Sequence, residues 1–211
     1  MALGVSAADA RPPQIVLGEV TKDCRLGEMD VHVLRGVSMS VCDGELIAIM
    51  GSPGSGKSTL MNILGCVERP TSGAYWLDGR DTSSLAPGEL AEIRDRALGF
   101  VFQNFGLFSG TSALEHVELP LVHPGIQERC VAIAQALAGR PRLILADEPT
   151  ANLDSRTSGE VMAVFQALGR SGITVVLLTQ DSKVAAYASR VIVLRDGLVL
   201  SDDGHQPGPS P

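Results

Sequence analysis

No apolar run in this sequence is long enough to cross a bilayer. The longest hold about five or six residues, against the roughly eighteen that a membrane-spanning helix needs. Positive charge is not in excess either. The net charge is −7 and the pI near 5.0, which argues against the basic face of a nucleic-acid-binding protein and against direct electrostatic attachment to anionic lipid. Met1 to Ala10 lack the basic start and apolar centre of a signal peptide. The cysteines Cys24, Cys42, Cys66 and Cys130 show no C-x-x-C spacing, so they are read as reduced cytosolic thiols, neither a metal site nor a disulfide framework. What is present is a 211-residue chain, 45% hydrophobic, with a mean hydropathy of +0.18. That is enough for one sizeable core with a small appended lobe.

The most informative stretch is Gly51-Ser52-Pro53-Gly54-Ser55-Gly56-Lys57-Ser58-Thr59, which fits the phosphate-loop pattern G-x-x-x-x-G-K-[ST]. A chance match is expected on the order of once in a hundred chains of this length. Leu46 to Met50 before it reads as a buried parallel strand. Leu60, Met61, Ile63 and Leu64 after it fall at helical spacing, with Gly65 as a stop. Glycines let the backbone curl so that N–H groups point at phosphate oxygens, and the helix opening at Gly56 adds its own unpaired N–H groups. Lys57 is placed to reach the β- and γ-phosphates of a nucleotide and the Ser58 hydroxyl to hold Mg²⁺.

Along the rest of the chain, two strands are expected between Gln14 and Val41, with a turn at Gly27. His32 is read as a surface residue, because no second ligand-type residue stands at a metal spacing. Ala74 to Leu77 reads as a strand, with Trp76 as a packing residue. Residues 88–97 read as a short amphipathic helix, and Gly99 to Phe102 as a buried strand. A helix is expected from about Gln127 to Ala138, closed by Gly139, and a third apolar strand over Leu143 to Ala146. A helix over 155–169, capped by Asp154 or Ser155, carries Val161, Val164, Phe165 and Leu168. Then come a strand over Ile173 to Leu178, a helix over Ser182 to Ser189, and a hairpin around Asp196-Gly197. The ends, 1–13 and 201–211, read as flexible flanks of one domain over 14–200.

Strands apolar throughout and alternating with helices imply an α/β fold: a parallel sheet covered on both faces by helices, with a small antiparallel β lobe. In such sheets ligands bind at the carboxyl ends of the strands. Gly51, Gln103, Asp147, Glu148 and Gln180 all follow strand ends and are expected on one rim. Asp147 at a strand tip suits Mg²⁺ opposite Ser58, and Glu148 beside it suits a general base that polarises water.

Gly51 to Thr59, then Phe100-Val101-Phe102-Gln103, then Leu145-Ala146-Asp147-Glu148-Pro149-Thr150-Ala151-Asn152-Leu153-Asp154 resemble the nucleotide-binding domain of an ABC transporter. Leu64-Gly65-Cys66 and Pro70-Thr71-Ser72-Gly73 are similar to the branch that serves lipoprotein release and macrolide export. The resemblance implies a P-loop NTPase core, ATP with Mg²⁺, transmembrane partner subunits and a second nucleotide-binding subunit in a homo- or heterodimer. It implies a peripheral place on the cytoplasmic face of the inner or plasma membrane, while the acidic charge and short apolar runs lead us to expect no nucleic acid and no direct membrane insertion. It also gives Gln103 a role on Mg²⁺ and in sensing the partner, Glu148 and Gln180 catalytic positions, and Asn152 to Asp154 a place at the dimer interface.

The chain departs from the family pattern at four places. Cys24 stands where the family carries an aromatic residue that stacks on adenine, a contact worth about 1–3 kcal/mol. His123-Pro124-Gly125-Ile126-Gln127 stands at the signature sequence; Pro124 lacks an N–H, and Ile126 puts a branched side chain where backbone must approach closely. Gln180 replaces a histidine; it donates a hydrogen bond but carries no charge, and losing one transition-state stabiliser costs about 10²–10³ in rate. Gln103 and His123 stand 20 positions apart, less than half the family spacing, so the helical subdomain is expected to be truncated. ATP binding is therefore expected to survive, with slow or absent hydrolysis. Two alternatives are a non-hydrolysing ATP-binding regulatory module or remnant, and a soluble P-loop GTPase or small-molecule kinase; for the latter Thr21-Lys22-Asp23 lacks Asn and precedes the loop.

Overall fold

The computed structural model describes residues 13–27, 29–102 and 132–204. Gln103, the altered signature around His123 to Gln127, and the start of the helix expected from Gln127 lie outside the described residues, as does the expected truncation of the helical subdomain.

The first layer is a four-stranded antiparallel sheet in the order β2-β1-β4-β5. It is built from β1 (Pro13–Leu26), β2 (Met29–Cys42), β4 (Ser72–Leu77) and β5 (Arg80–Asp81). The β1–β2 hairpin turns at Gly27, and Cys24 pairs with Val31. The second layer is a six-stranded sheet in the order β10-β9-β3-β8-β7-β6. Its strands are β3 (Leu46–Met50), β6 (Leu98–Val101), β7 (Leu143–Asp147), β8 (Thr174–Thr179), β9 (Arg190–Arg195) and β10 (Leu198–Gly204). All its pairings are parallel except β9–β10.

The period of two along a strand explains why these runs are apolar on both faces. Ile47, Ile49, Leu143, Leu145, Val176 and Leu178 face one core with α1 (Lys57–Leu64), where Leu60, Met61, Ile63 and Leu64 are buried, and with the β lobe. Leu46, Ala48, Ile144, Ala146, Val175 and Leu177 face the other core. That core is closed by Val161, Met162 and Phe165 of α4 (Ser155–Arg170), by Ala132, Ile133 and Ala136 of α3 (132–138), and by Val184 and Ala185 of α5 (Ser182–Ala185). The amphipathic α2 (Pro87–Ala97) buries only Leu90. Among the described residues no helix is long and apolar enough to cross a membrane.

Four local expectations are corrected. Trp76 is 41% exposed: β4 turns Tyr75 and Leu77 inward, and Trp76 pairs with Val16 on the outer face. Tyr75 is the core aromatic, and its hydroxyl donates to the Leu64 carbonyl at 2.7 Å. Strand β6 stops at Val101, and exposed Phe102 stacks its ring on Phe100 at 5.4 Å. Helix α5 ends at Ala185 rather than Ser189, because the Ser189 N–H and hydroxyl both donate to the Leu46 carbonyl and draw the chain onto β3. Strand β10 continues to Gly204, past the end expected at 200, where Arg190 grips Asp202 with two hydrogen bonds.

Candidate functional site

The phosphate-loop pattern lies where the sequence places it, between β3 and α1. Gly54 and Gly56 adopt φ of 80° and 101°, and Gly56 is the N-cap of α1. Those left-handed conformations are open to glycine at no steric cost, and they turn the loop so that α1 begins under it. The loop is tied down from outside, where the Gly197 N–H donates to the Ser55 carbonyl at 3.1 Å, and from within, where the Ser55 N–H donates to the Ser52 carbonyl at 3.1 Å. A Cβ at Gly51 would come within 2.4 Å of both the Leu194 carbonyl and the Ser55 hydroxyl, so the first glycine of the loop is required by packing. Ser52, Pro53, Gly54 and Ser58 are exposed, and Thr59 is half-buried.

Lys57 folds back over the loop. Its ammonium donates to the Gly51 carbonyl at 2.6 Å and to the Ser52 carbonyl at 3.0 Å. These contacts hold the cation at the loop's mouth, and an anion entering there competes for it. The hydroxyl of Ser55, in a residue only 2% exposed, has no hydrogen-bond partner. A buried orphan hydroxyl within the phosphate loop suits an added acceptor such as a phosphate oxygen.

Asp147 ends β7, paired with Leu178 of β8. Glu148 follows with φ 46°, its N–H donating to the Leu178 carbonyl at 2.8 Å. The Glu148 carboxylate is held on both oxygens: Oε2 accepts from the Thr179 hydroxyl and Oε1 from the Gln180 backbone N–H, each at 3.1 Å. Burial raises the Asp147 carboxyl above its ordinary range, and the charge of Lys57 pulls the other way. Burial also raises Glu148; the Thr179 and Gln180 hydrogen bonds and the Lys57 charge oppose it, while the Asp147 charge adds to it. Lys57 thus stands within electrostatic reach of both strand-tip carboxyls. Gln180 is exposed and lines a cavity of about 420 Å³ with Met50, Gly51, Ser52, Pro53 and Val193. A larger cavity, about 920 Å³, lies away from this rim, between Asp43, Gln166, Arg170 and Tyr187. Among the described residues the phosphate site is an open loop.

Gly51 to Thr59, Asp147, Glu148 and Gln180 therefore meet on one rim. Hard oxygen donors from Ser58 and Asp147 suit Mg²⁺. Thr179 is the participant that sequence reading passed over. Its only signal was a hydroxyl at the end of an otherwise apolar strand, one residue before Gln180.

The ABC transporter family profile matches residues 34–151. This chain belongs to the ABC transporter family. It is 44% identical over 225 residues to the macrolide export ATP-binding/permease protein MacB of Syntrophobacter fumaroxidans, covering 90% of this chain and 32% of that protein. It is 41% identical to the uncharacterized ABC transporter ATP-binding protein YvrO of Bacillus subtilis, covering 90% of this chain and 97% of that one. It superposes with a TM-score of 0.82, at 35% identity over 90% of this chain and 98% of the other, on the dimeric post-hydrolysis structure of the ATP-binding cassette MJ0796 bound to ADP and Pi. The chain spans about a third of the length of the MacB relatives it matches. The alignment with the Syntrophobacter protein is longer than the 211 residues of this chain, so that relative carries residues this chain lacks. Family membership sets aside the GTPase or kinase reading, and it favours an ATPase that uses ATP with Mg²⁺ over a non-hydrolysing module.

Proposed function

We propose that residues 14–200 act as the nucleotide-binding domain of a transport ATPase that drives export or lipoprotein release through separate membrane subunits. It works paired with a second nucleotide-binding subunit, on the cytoplasmic face of the membrane. The observation that carries this reading is the meeting of Lys57, Asp147, Glu148 and Gln180 around the phosphate loop.

In this reading Gly51 to Thr59 take the phosphates, and Lys57 exchanges the Gly51 and Ser52 carbonyls for phosphate oxygens. Ser58, Asp147 and Gln103 would hold Mg²⁺, which supplies charge neutralisation at the phosphate oxygens. Glu148 accepts the proton of the attacking water as its oxygen bonds to the γ-phosphorus and the bond to the bridging oxygen breaks, leaving ADP and phosphate. Gln180 donates its amide hydrogen to a γ-phosphate oxygen. Because Gln180 brings no charge to that position, turnover is slow. Similarity to a macrolide exporter supports a substrate moved outward, and the dimeric cassette supports the paired arrangement.

The test is ATP hydrolysis and ATP affinity measured side by side on the purified chain. Glu148→Gln cuts hydrolysis to a small residual rate and keeps binding. Gln180→His raises the rate by about 10²–10³. Wild-type activity surviving Glu148→Gln overturns the assignment of the base; a wild type as fast as its Gln180→His variant overturns the slow turnover.

A further inference from the structure

We infer that Thr179 is a positioning residue for hydrolysis, whose hydroxyl, with the backbone N–H of Gln180, fixes the direction in which the Glu148 carboxylate faces. The inference rests on the assignment of Glu148 as general base and adds the device that aims it.

The hydrogen-bond directions leave little freedom. Thr179 is the last residue of β8 and is fully buried, so bulk water does not compete for its hydroxyl. The Asp181 N–H donates to Thr179 Oγ1 at 3.0 Å. A hydroxyl has one proton; with its oxygen already accepting from Asp181, that proton goes to Glu148 Oε2, 3.1 Å away. The Gln180 N–H takes Oε1. A glutamate side chain has three rotatable bonds and ordinarily samples many rotamers; here both oxygens are pinned by two consecutive residues, Thr179 and Gln180, of the neighbouring strand end, and Asp181 in turn holds the Thr179 hydroxyl. The same strand end also holds the Glu148 backbone, through the Leu178 carbonyl, in a left-handed conformation of φ 46°. Residues in such strained conformations persist when their surroundings over-determine them; here the Leu178 carbonyl holds the backbone and Thr179 with Gln180 holds the side chain. Parallel pairing of β7 with β8 places Asp147 beside Leu178, so the residue after each, Glu148 and Thr179, come together as a consequence of register.

A base must meet its water within hydrogen-bond reach, and a misplacement of about 1 Å can cost about 10² in rate. Thr179→Val keeps the shape and removes the hydroxyl; Thr179→Ser keeps the hydroxyl and removes a methyl group. The experiment uses the full chain with MgATP and reads single-turnover hydrolysis, equilibrium ATP affinity and amide hydrogen exchange at Asp181. Thr179→Val lowers the hydrolysis rate by about 10², leaves ATP affinity within about twofold, and speeds exchange of the Asp181 N–H. Thr179→Ser restores rate and protection. Because Thr179 acts through Glu148, Thr179→Val causes no further loss in a Glu148→Gln background, the non-additivity expected of residues that work as a unit. If Thr179→Val fails to fold by its melting curve, Thr179→Ala against Thr179→Ser carries the same comparison. An unimpaired hydroxyl-less variant beside a slow Glu148→Gln overturns the proposal alone. So does a Ser variant as slow as the hydroxyl-less one, or an equal further loss in the Glu148→Gln background. A Glu148→Gln protein as active as wild type overturns the assignment of the base, and the proposal with it.

Discussion

Lys57 and Cys66 show how a single side chain's surroundings set its chemistry. Lys57 lies against two loop carbonyls, so its charge is already placed at the mouth that a phosphate must enter. Cys66, just past α1, is 4% exposed, and burial pushes its thiol up to about 11, with Arg94 pulling slightly down. A thiol is nucleophilic only as thiolate, so native Cys66 resists iodoacetamide at pH 8 and becomes reactive on unfolding, as mass spectrometry of the alkylated peptides will show. The sign of the linkage is also defined. The folded value lies above the ordinary 9.0, so the unfolded chain loses this proton first. The contribution to stability is complete below about pH 9 and is lost as pH rises toward about 11. Thermal melts between pH 8.5 and 10.5 will show a shallower alkaline decline for Cys66→Ala than for wild type.

At the scale of elements, caps and turns hold the rim in place. Asp154 caps α4, its carboxylate accepting from the Arg156 and Thr157 N–H groups and from the Thr157 hydroxyl. Asp154→Ala removes this cap and lowers the midpoint of urea melts. The β9–β10 turn matters more to the site. Gly197 has φ +77°, its N–H donates to Ser55 of the phosphate loop and its carbonyl accepts from the Arg35 N–H of β2. An added Cβ would stand 2.4 Å from the Val33 carbonyl. Gly197→Ala therefore destabilises by about 1–3 kcal/mol and weakens nucleotide binding together with stability, a pairing that calorimetry and an ATP titration will reveal. An alanine variant with wild-type affinity would show that the turn does not support the loop.

Over the whole molecule, the phosphate loop and the tips of β7 and β8 belong to one sheet, so nucleotide binding is coupled to global stability. ATP with Mg²⁺ at a hundred times its dissociation constant adds about 2.7 kcal/mol. For a chain of this size that is a rise in melting temperature of about 5–10 °C. Lys57→Ala abolishes most of that rise while leaving the melting temperature without nucleotide nearly unchanged. A variant still shifted as far as wild type would remove Lys57 from the binding site. Arg190 is a second global tie, bridging β9 to Asp202 of β10, the Ser40 carbonyl of β2 and Glu45 before β3. Its guanidinium is raised above its ordinary range, first by the Asp202 hydrogen bonds, with burial opposing.

Much of the fold was legible in the sequence because its signals are local. Leu46 to Met50, Leu143 to Ala146 and, within the strand read over Ile173 to Leu178, Val175 to Leu178 are apolar at consecutive positions, as a strand buried on both faces requires. Gly51 to Thr59 has a spacing set by the reach of backbone around a phosphate. The sequence alone therefore determined the parallel sheet, the phosphate loop and the strand tips that carry Asp147 and Glu148. Tertiary structure decided what depends on neighbours distant in the chain. It turned Trp76 outward over Val16, ended α5 early on the Leu46 carbonyl, and carried β10 past 200 through the Arg190–Asp202 pair. It also set Thr179 beside Glu148, 31 residues away in sequence. A single hydroxyl at a strand end has no meaning in a linear pattern; it acquires one only when parallel register brings it against a carboxylate.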